Sequence, residues 1–163
     1  MSWTNLEGKV VVVTGGAAGI GLAVAQGFVE VGAKVMIADF AEETGQKAAE
    51  EVSQKGSGEA DFARCDVSKK ADVDAVIAKT VEKWGTVDAL VNNAGINIPR
   101  LLVDPAGKEE LTEDVWDKVF AVNVKGQFLF AQAVARVFSQ QSKPGVLINM
   151  SSESGQEGSE GQS

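Results

Sequence analysis

Residues 9–21 read KVVVVTGGAAGIG, and the order of residue types in that stretch decides the fold. Four consecutive valines, Val10–Val13, are β-branched and apolar at every position, the pattern of a strand buried on both faces. Glycines follow at 15, 16, 19 and 21, and from Ile20 the spacing turns helical, with Leu22, Val24, Phe28 and Val31 before Gly32. A strand that turns through glycines into a helix leaves backbone N–H groups unpaired at the helix start. Together with the helix dipole they make an anion site, which a pyrophosphate reaches only where side chains are missing. The spacing Thr14-Gly15-x-x-x-Gly19-x-Gly21 is wider than GxGxxG, and glycines alone also mark ordinary tight turns. The flanking strand and helix therefore carry the argument.

Working outward, residues 33–39 (AKVMIAD) form a second buried strand that ends in an acid. Asp39 stands about where a nucleotide-binding βαβ unit places a carboxylate on the adenosine ribose. Its competing role is a helix N-cap, because AEETGQKAAEEV follows. Residues 59–65 (EADFARC) alternate rather than run apolar, as an edge strand does. Asp66-Val67 follows, then Ser68 as the expected N-cap of a helix carrying Val73, Val76, Ile77, Val81 and Trp84 and stopping at Gly85.

Residues 87–91 (VDALV) make a fourth strand, and Asn92-Asn93-Ala94-Gly95 leaves its carboxyl end, where open α/β sheets bind ligands. A loop with Pro99, Arg100 and Pro105 leads into one long helical pattern over about residues 112–141. Its expected apolar face is Val115, Val119, Phe120, Val124, Phe128, Ala131 and Val134, with Asn123 set inside it. A buried amide is costly unless satisfied, by a neighbouring backbone group or by a functional partner. Residues 146–150 form the fifth strand, Ser151 and Ser152 sit at its carboxyl end, and residues 151–163 otherwise read as a tail with nothing apolar to bury. The β-α alternation predicts one α/β domain over residues 1–163, a parallel sheet with helices on both faces and right-handed crossovers.

Composition narrows the function. No apolar run approaches the about 18–20 residues that span a bilayer, so no membrane is expected as a partner. A net charge of −8 argues against nucleic acid. With no histidine and a single cysteine, Cys65, the chain is expected to hold no catalytic zinc or other metal, and a histidine-based triad and an internal disulfide are excluded. One thiol also suits a reducing compartment, hence a cytoplasmic location.

These motifs, in this order, resemble the short-chain dehydrogenase/reductase family over essentially the whole chain. Thr14-Gly15-x-x-x-Gly19-x-Gly21 matches the family's cofactor motif, Asn92–Gly95 its NNAG motif, Asn123 its catalytic asparagine and Ser152 its catalytic serine. The resemblance implies a Rossmann-type doubly wound sheet of order 3-2-1-4-5, with strands 6 and 7 following in full-length members. It also implies oxidation of a secondary alcohol to a ketone with NAD as cofactor. Thr14, Gly15, Gly19, Ile20 and Gly21 would hold the cofactor, Asp66 and Val67 its adenine, and Asn93, Ala94 and Gly95 its adenosine ribose. Asp39 would bind the ribose hydroxyls and repel a 2′-phosphate, with no arginine near it in sequence. In the family's logic the serine orients the substrate oxygen and the asparagine carries a water of the proton relay. A tyrosine is the general acid/base, and a lysine lowers its pKa. Within the family, NNAGINIPRLLVDP and NMSSESG look most like members that oxidise a sugar-alcohol phosphate such as sorbitol 6-phosphate to the ketose phosphate. Arg100 then becomes a candidate phosphate contact on a small-molecule substrate. Full-length relatives are homo-oligomers, dimers or tetramers, that pair through the helix holding Asn123.

The departure from the family is that its tyrosine and lysine fall beyond Ser163, and the sequence contains no tyrosine at all. Gln156 is a smaller departure, since an apolar residue is expected there. The chain is accordingly expected to be the N-terminal portion of the enzyme, a C-terminally incomplete NAD-binding domain that is inactive alone and leaves strand 5 as a bare edge. The alternatives are a non-catalytic nucleotide-binding module and a same-fold epimerase or dehydratase.

Overall fold

The computed structural model describes residues 5–157, so the end of the polar tail, residues 158–163, lies outside the described residues. Five strands and their helices alternate in chain order: β1 Val10–Thr14, α1 Gly19–Glu30, β2 Lys34–Asp39, α2 Glu42–Ser53, β3 Glu59–Arg64, α3 Lys70–Trp84, β4 Ala89–Asn92. Then come α4 Glu113–Phe120, a π-helical turn Ala121–Lys125, α5 Gly126–Gln141 and β5 Val146–Asn149. The sheet order is β3-β2-β1-β4-β5 and every pairing is parallel, as expected.

β1 is the centre of both cores. Val10–Val13 are at most 1% exposed, so the four-valine run does mark a strand covered on both faces. On one face Val12, Met36 and Leu90 pack under α3 and α5, against Val73, Val76 and Phe130. On the other, Val11, Val13 and Ile37 pack under α1 and α2, against Ala25, Val29 and Val52.

The two sheet edges are unlike. Along β3, the Ser53 hydroxyl accepts the Ala60 N–H at 2.9 Å and donates to the Ala60 carbonyl, while Lys79 donates to the Phe62 carbonyl. Lys79 and Lys83 also pair with Asp61. Burial pushes the Asp61 carboxyl up, but hydrogen bonds from Lys83, the Phe62 N–H and Lys79 outweigh it and hold the group below its ordinary range. This contribution to stability is present above the ordinary carboxylate pKa of about 4 and is lost as pH falls through the lower folded value. β5, by contrast, is exposed at all four positions.

The helix before β5 corrects two expectations. It is not one regular α-helix, because the π turn interrupts it at Asn123. The buried face is only partly the one expected: Val134 is buried and Val115, Val119 and Ala131 are half-buried, but Phe120, Val124 and Phe128 are exposed, and Leu129, Phe130, Ala133 and Val137 pack on the sheet beside Val134. The helix carries more apolar residues than one face can bury, and periodicity alone does not say which ones face the sheet. Ser68 is also not the N-cap of α3. Lys69 occupies that position, and the Ser68 hydroxyl donates to Asp66 instead.

Truncating the buried ring should therefore matter far more than truncating its exposed neighbour. Phe130→Ala is expected to cost about 3–5 kcal/mol by cavity formation, and Phe128→Ala under about 1 kcal/mol. Urea denaturation midpoints of the two variants make the comparison.

Candidate functional site

The carboxyl ends of β1, β2, β3 and β4 open on one cavity of about 740 Å³, within the range of small-molecule and cofactor sites. Its floor is the glycine turn. Gly15 has φ +64, and a Cβ there would stand 2.9 Å from the Ala94 Cα. A Cβ on Gly21 would collide with the Gly15 carbonyl, so α1 can start close behind the turn only because residue 21 has no side chain. The N-terminus of α1 has no side-chain cap, and no acid lies in its first turn. Ala18, Gly19 and Ile20 bring that positive helix end to the cavity wall, where it suits an anion.

Two clasps fix the turn. The Asn93 amide donates to the carbonyls of Thr14 and Gly15, both at 3.1 Å, and the Thr14 hydroxyl accepts the N–H groups of Asn93 and Ala94, both at 3.0 Å. On the far side, Asp39 accepts the Ala17 N–H with one carboxylate oxygen and the Ala41 N–H with the other, each at 3.0 Å. Asp39 thus precedes the α2 N-cap, which is Ala41, and also ties β2 to the turn.

Gly15, Gly19, Ile20, Asp39, Asp66, Val67, Asn93, Ala94 and Gly95 all line the cavity. Thr14 lies beneath it, buried in the clasp, and Gly21 lies behind the turn. Asn123 is half-buried, and its amide is paired at both ends with one residue: Oδ1 accepts the Ile96 N–H at 2.8 Å and Nδ2 donates to the Ile96 carbonyl at 2.9 Å. No residue of its turn is fully buried, and Asn123 anchors the loop whose Ile96 lines the cavity. Ser152 follows β5 outside the lining, and its hydroxyl accepts the Ser154 N–H ahead of a short 3-10 turn. Arg100 is outside the lining as well and donates to the Pro99 carbonyl.

The sequence places Asn92 at the ligand end, but its partners, and several further contributors, escaped sequence reasoning. Asn92, 1% exposed, donates to Asn149 Oδ1 at 2.9 Å and to the Gln127 carbonyl, and Gln127 in turn donates to the Met150 carbonyl. These bonds hold the end of β5 that leads to Ser152. Lys118 and Phe40 also line the cavity, and no local pattern announces them. Asp66 lies below its ordinary range, first because the Ser68 hydroxyl donates to it; burial opposes this, and the Ser68 N–H and Lys69 add to it. It is therefore an anion throughout the neutral range. Cys65, on the same wall, is pushed up to about 12, chiefly by burial and then by the carboxylates of Asp72, Asp66 and Asp39. A thiol of this kind is a packing group, not a nucleophile.

Comparison with known proteins gives a consistent picture. The family described as short chain dehydrogenase matches residues 9–163. The chain is 43% identical to a sorbitol-6-phosphate 2-dehydrogenase of Klebsiella pneumoniae over 99% of its own length and 58% of the relative's. It is 38% identical to a sorbitol dehydrogenase of Cereibacter sphaeroides over 94% of its length and 56% of the relative's. The crystal structure of a short chain dehydrogenase from Mycobacterium smegmatis superimposes with a TM-score of 0.89 at 35% identity, over 96% of this chain and 63% of that one. The chain thus spans a little over half the length of these two curated relatives.

Cys65 offers a direct check on how closed the cavity wall is. At pH 8 its thiolate fraction should be lower than that of an ordinary thiol by roughly a thousandfold, given an ordinary pKa of about 8.5. Iodoacetamide should modify it rapidly in urea and barely in the native protein. Equal rates in both states would contradict the buried placement.

Proposed function

The chain belongs to the short chain dehydrogenase family, and on that premise we propose that it is the NAD-binding part of an oxidoreductase that interconverts a secondary alcohol and a ketone. The observation that carries this reading is that the uncapped N-terminus of α1 and the Asp39 carboxylate line the same cavity. The glycine turn would take the pyrophosphate, where the helix end and bare backbone favour an anion. Asp39 would accept hydrogen bonds from the adenosine ribose hydroxyls. Asp66 and Val67 would hold the adenine, and Asn93 to Gly95 the adenosine ribose. When bound, the dinucleotide supplies hydride transfer.

The remaining roles fall to Ser152, beyond the carboxyl end of β5, and to Asn123 in the π turn. Ser152 would orient the substrate oxygen by a hydrogen bond that strengthens as charge develops there. Asn123 keeps Ile96 in place, and the second lone pair of its Oδ1 is left for a water of the proton relay. The tyrosine general acid/base that the family resemblance implies is not among these residues, because the sequence holds no tyrosine. A polypeptide of these 163 residues should therefore bind NAD without turning over alcohol, since a serine hydroxyl is far too weak an acid to serve.

The substrate we favour is a sugar-alcohol phosphate, supported by the similarity to a sorbitol-6-phosphate 2-dehydrogenase. The relative named as a sorbitol dehydrogenase makes the phosphate contact the point to test. Full-length assembly into homo-oligomers is supported by the exposed apolar row Trp116, Phe120, Val124 and Phe128 along the helix that holds Asn123.

Isothermal titration of the chain should give measurable NAD binding and weaker NADP binding, with Asp39→Ala narrowing the difference. Tighter binding of NADP by the unaltered protein would overturn the cofactor assignment. In the full-length enzyme, Arg100→Ala should raise KM for the phosphorylated polyol by about tenfold or more and leave the unphosphorylated one nearly unchanged, as loss of a charge-assisted phosphate contact predicts. Equal effects on both substrates would remove Arg100 from the site.

A further inference from the structure

β2 and β3 end side by side, with Asp39 opposite Arg64 in the parallel register. Residues directly paired in this way project from the same face of the sheet. Arg64 therefore leaves β3 on the side where Asp39 meets the glycine turn. Its guanidinium carbon lies 4.9 Å from the centroid of the Phe40 ring, and Phe40 lines the cavity beside Asp39. The single ion pair found for Arg64 among the described residues is to Glu42, at 4.0 Å and half exposed on both sides. A pair so long and so wet stabilises little. The cation thus rests on an aromatic ring at the cavity rim, with its planar donor fork uncommitted to any close carboxylate.

We propose that Arg64 is a second determinant of dinucleotide choice, a ready-made contact for the 2′-phosphate of NADP that Asp39 keeps out of use. The inference rests on the cavity being a dinucleotide site with the adenosine ribose at Asp39. A phosphate on the 2′-hydroxyl would then meet the Asp39 carboxylate first. That carboxylate cannot turn aside cheaply, because each of its oxygens is held by a backbone N–H, from Ala17 and from Ala41. Repulsion therefore favours the unphosphorylated cofactor. Remove the Asp39 charge and the nearest strand-end cation is Arg64, whose fork matches phosphate geometry. Phe40 holds it from beneath, so little ordering remains to be done on binding. Asp39 and Arg64 act in opposite senses on the same phosphate.

A double-mutant cycle decides the matter, with NAD and NADP titrated against the unaltered chain, Asp39→Ser, Arg64→Ala and the double variant. Serine keeps a short acceptor at position 39 without the charge. Asp39→Ser should tighten NADP binding by at least about tenfold, the worth of one charge-assisted hydrogen bond, and Arg64→Ala should abolish that gain in the double variant. NAD affinity should be nearly the same with and without Arg64, which also shows that the exposed substitution leaves the fold intact. An NADP gain of equal size in both backgrounds would overturn the role of Arg64 while leaving the NAD site standing. Failure of every variant to bind either dinucleotide would overturn the parent reading and this one together.

Discussion

Thr14 and Asn93 join the carboxyl ends of β1 and β4 through four hydrogen bonds, counting those to their neighbours Gly15 and Ala94. The glycine turn hangs from this join. Its carbonyls are held by the Asn93 amide on one side, and its Ala17 N–H by Asp39 on the other. A turn with so few side chains has little packing of its own and would otherwise be the softest part of the site. Clasped between two strand ends, it presents the α1 N-terminus in one place. The rest of the cavity, from Asp39 round to Ile96, takes its shape from that arrangement.

The helix between β4 and β5 shows how a functional residue and a structural irregularity arise together. Asn123 spends its amide on both backbone groups of Ile96, a residue in an irregular loop with no strand to pair with. A π turn adds a residue to the helix at that point and changes which side chains face the sheet after it. Beyond it, Gly126 lets the helix approach Val67, where a Cβ would come within 2.9 Å of the valine methyl. The loop anchor, the shift in helix phase and the close approach to the cavity wall form one construction.

The sheet is asymmetric in the same functional sense. β3 is an edge whose backbone groups and flanks are occupied by Ser53, Lys79 and Lys83, so strand addition there meets resistance. β5 shows exposed Val146, Leu147 and Ile148 instead. The row from Trp116 to Phe128, whose first two rings stack at 4.4 Å, is exposed as well. Of the two edge strands, β5 is thus the one that leaves its apolar side chains uncovered.

Patterns within one element were legible without coordinates. The valine run, the glycine spacing, the acid at the end of β2 and the NNAG stretch each state a local requirement: burial on two faces, a bare turn, a strand-end carboxylate, polar groups at a ligand end. From these a parallel α/β sheet with a ligand site at its carboxyl ends followed; the strand order and most of the cavity lining came through the family resemblance that these motifs carry. Relations between elements were not legible, because they depend on which face meets which. The helix before β5 carries more apolar residues than one face can bury, and only packing against the sheet leaves Phe120, Val124 and Phe128 outside and takes Phe130 and Val137 in beside the expected Val134. Lys118 and Phe40 enter the cavity by position alone. Arg64 lies far from Asp39 in sequence and next to it in space, because parallel pairing aligns the ends of strands that a whole helix separates.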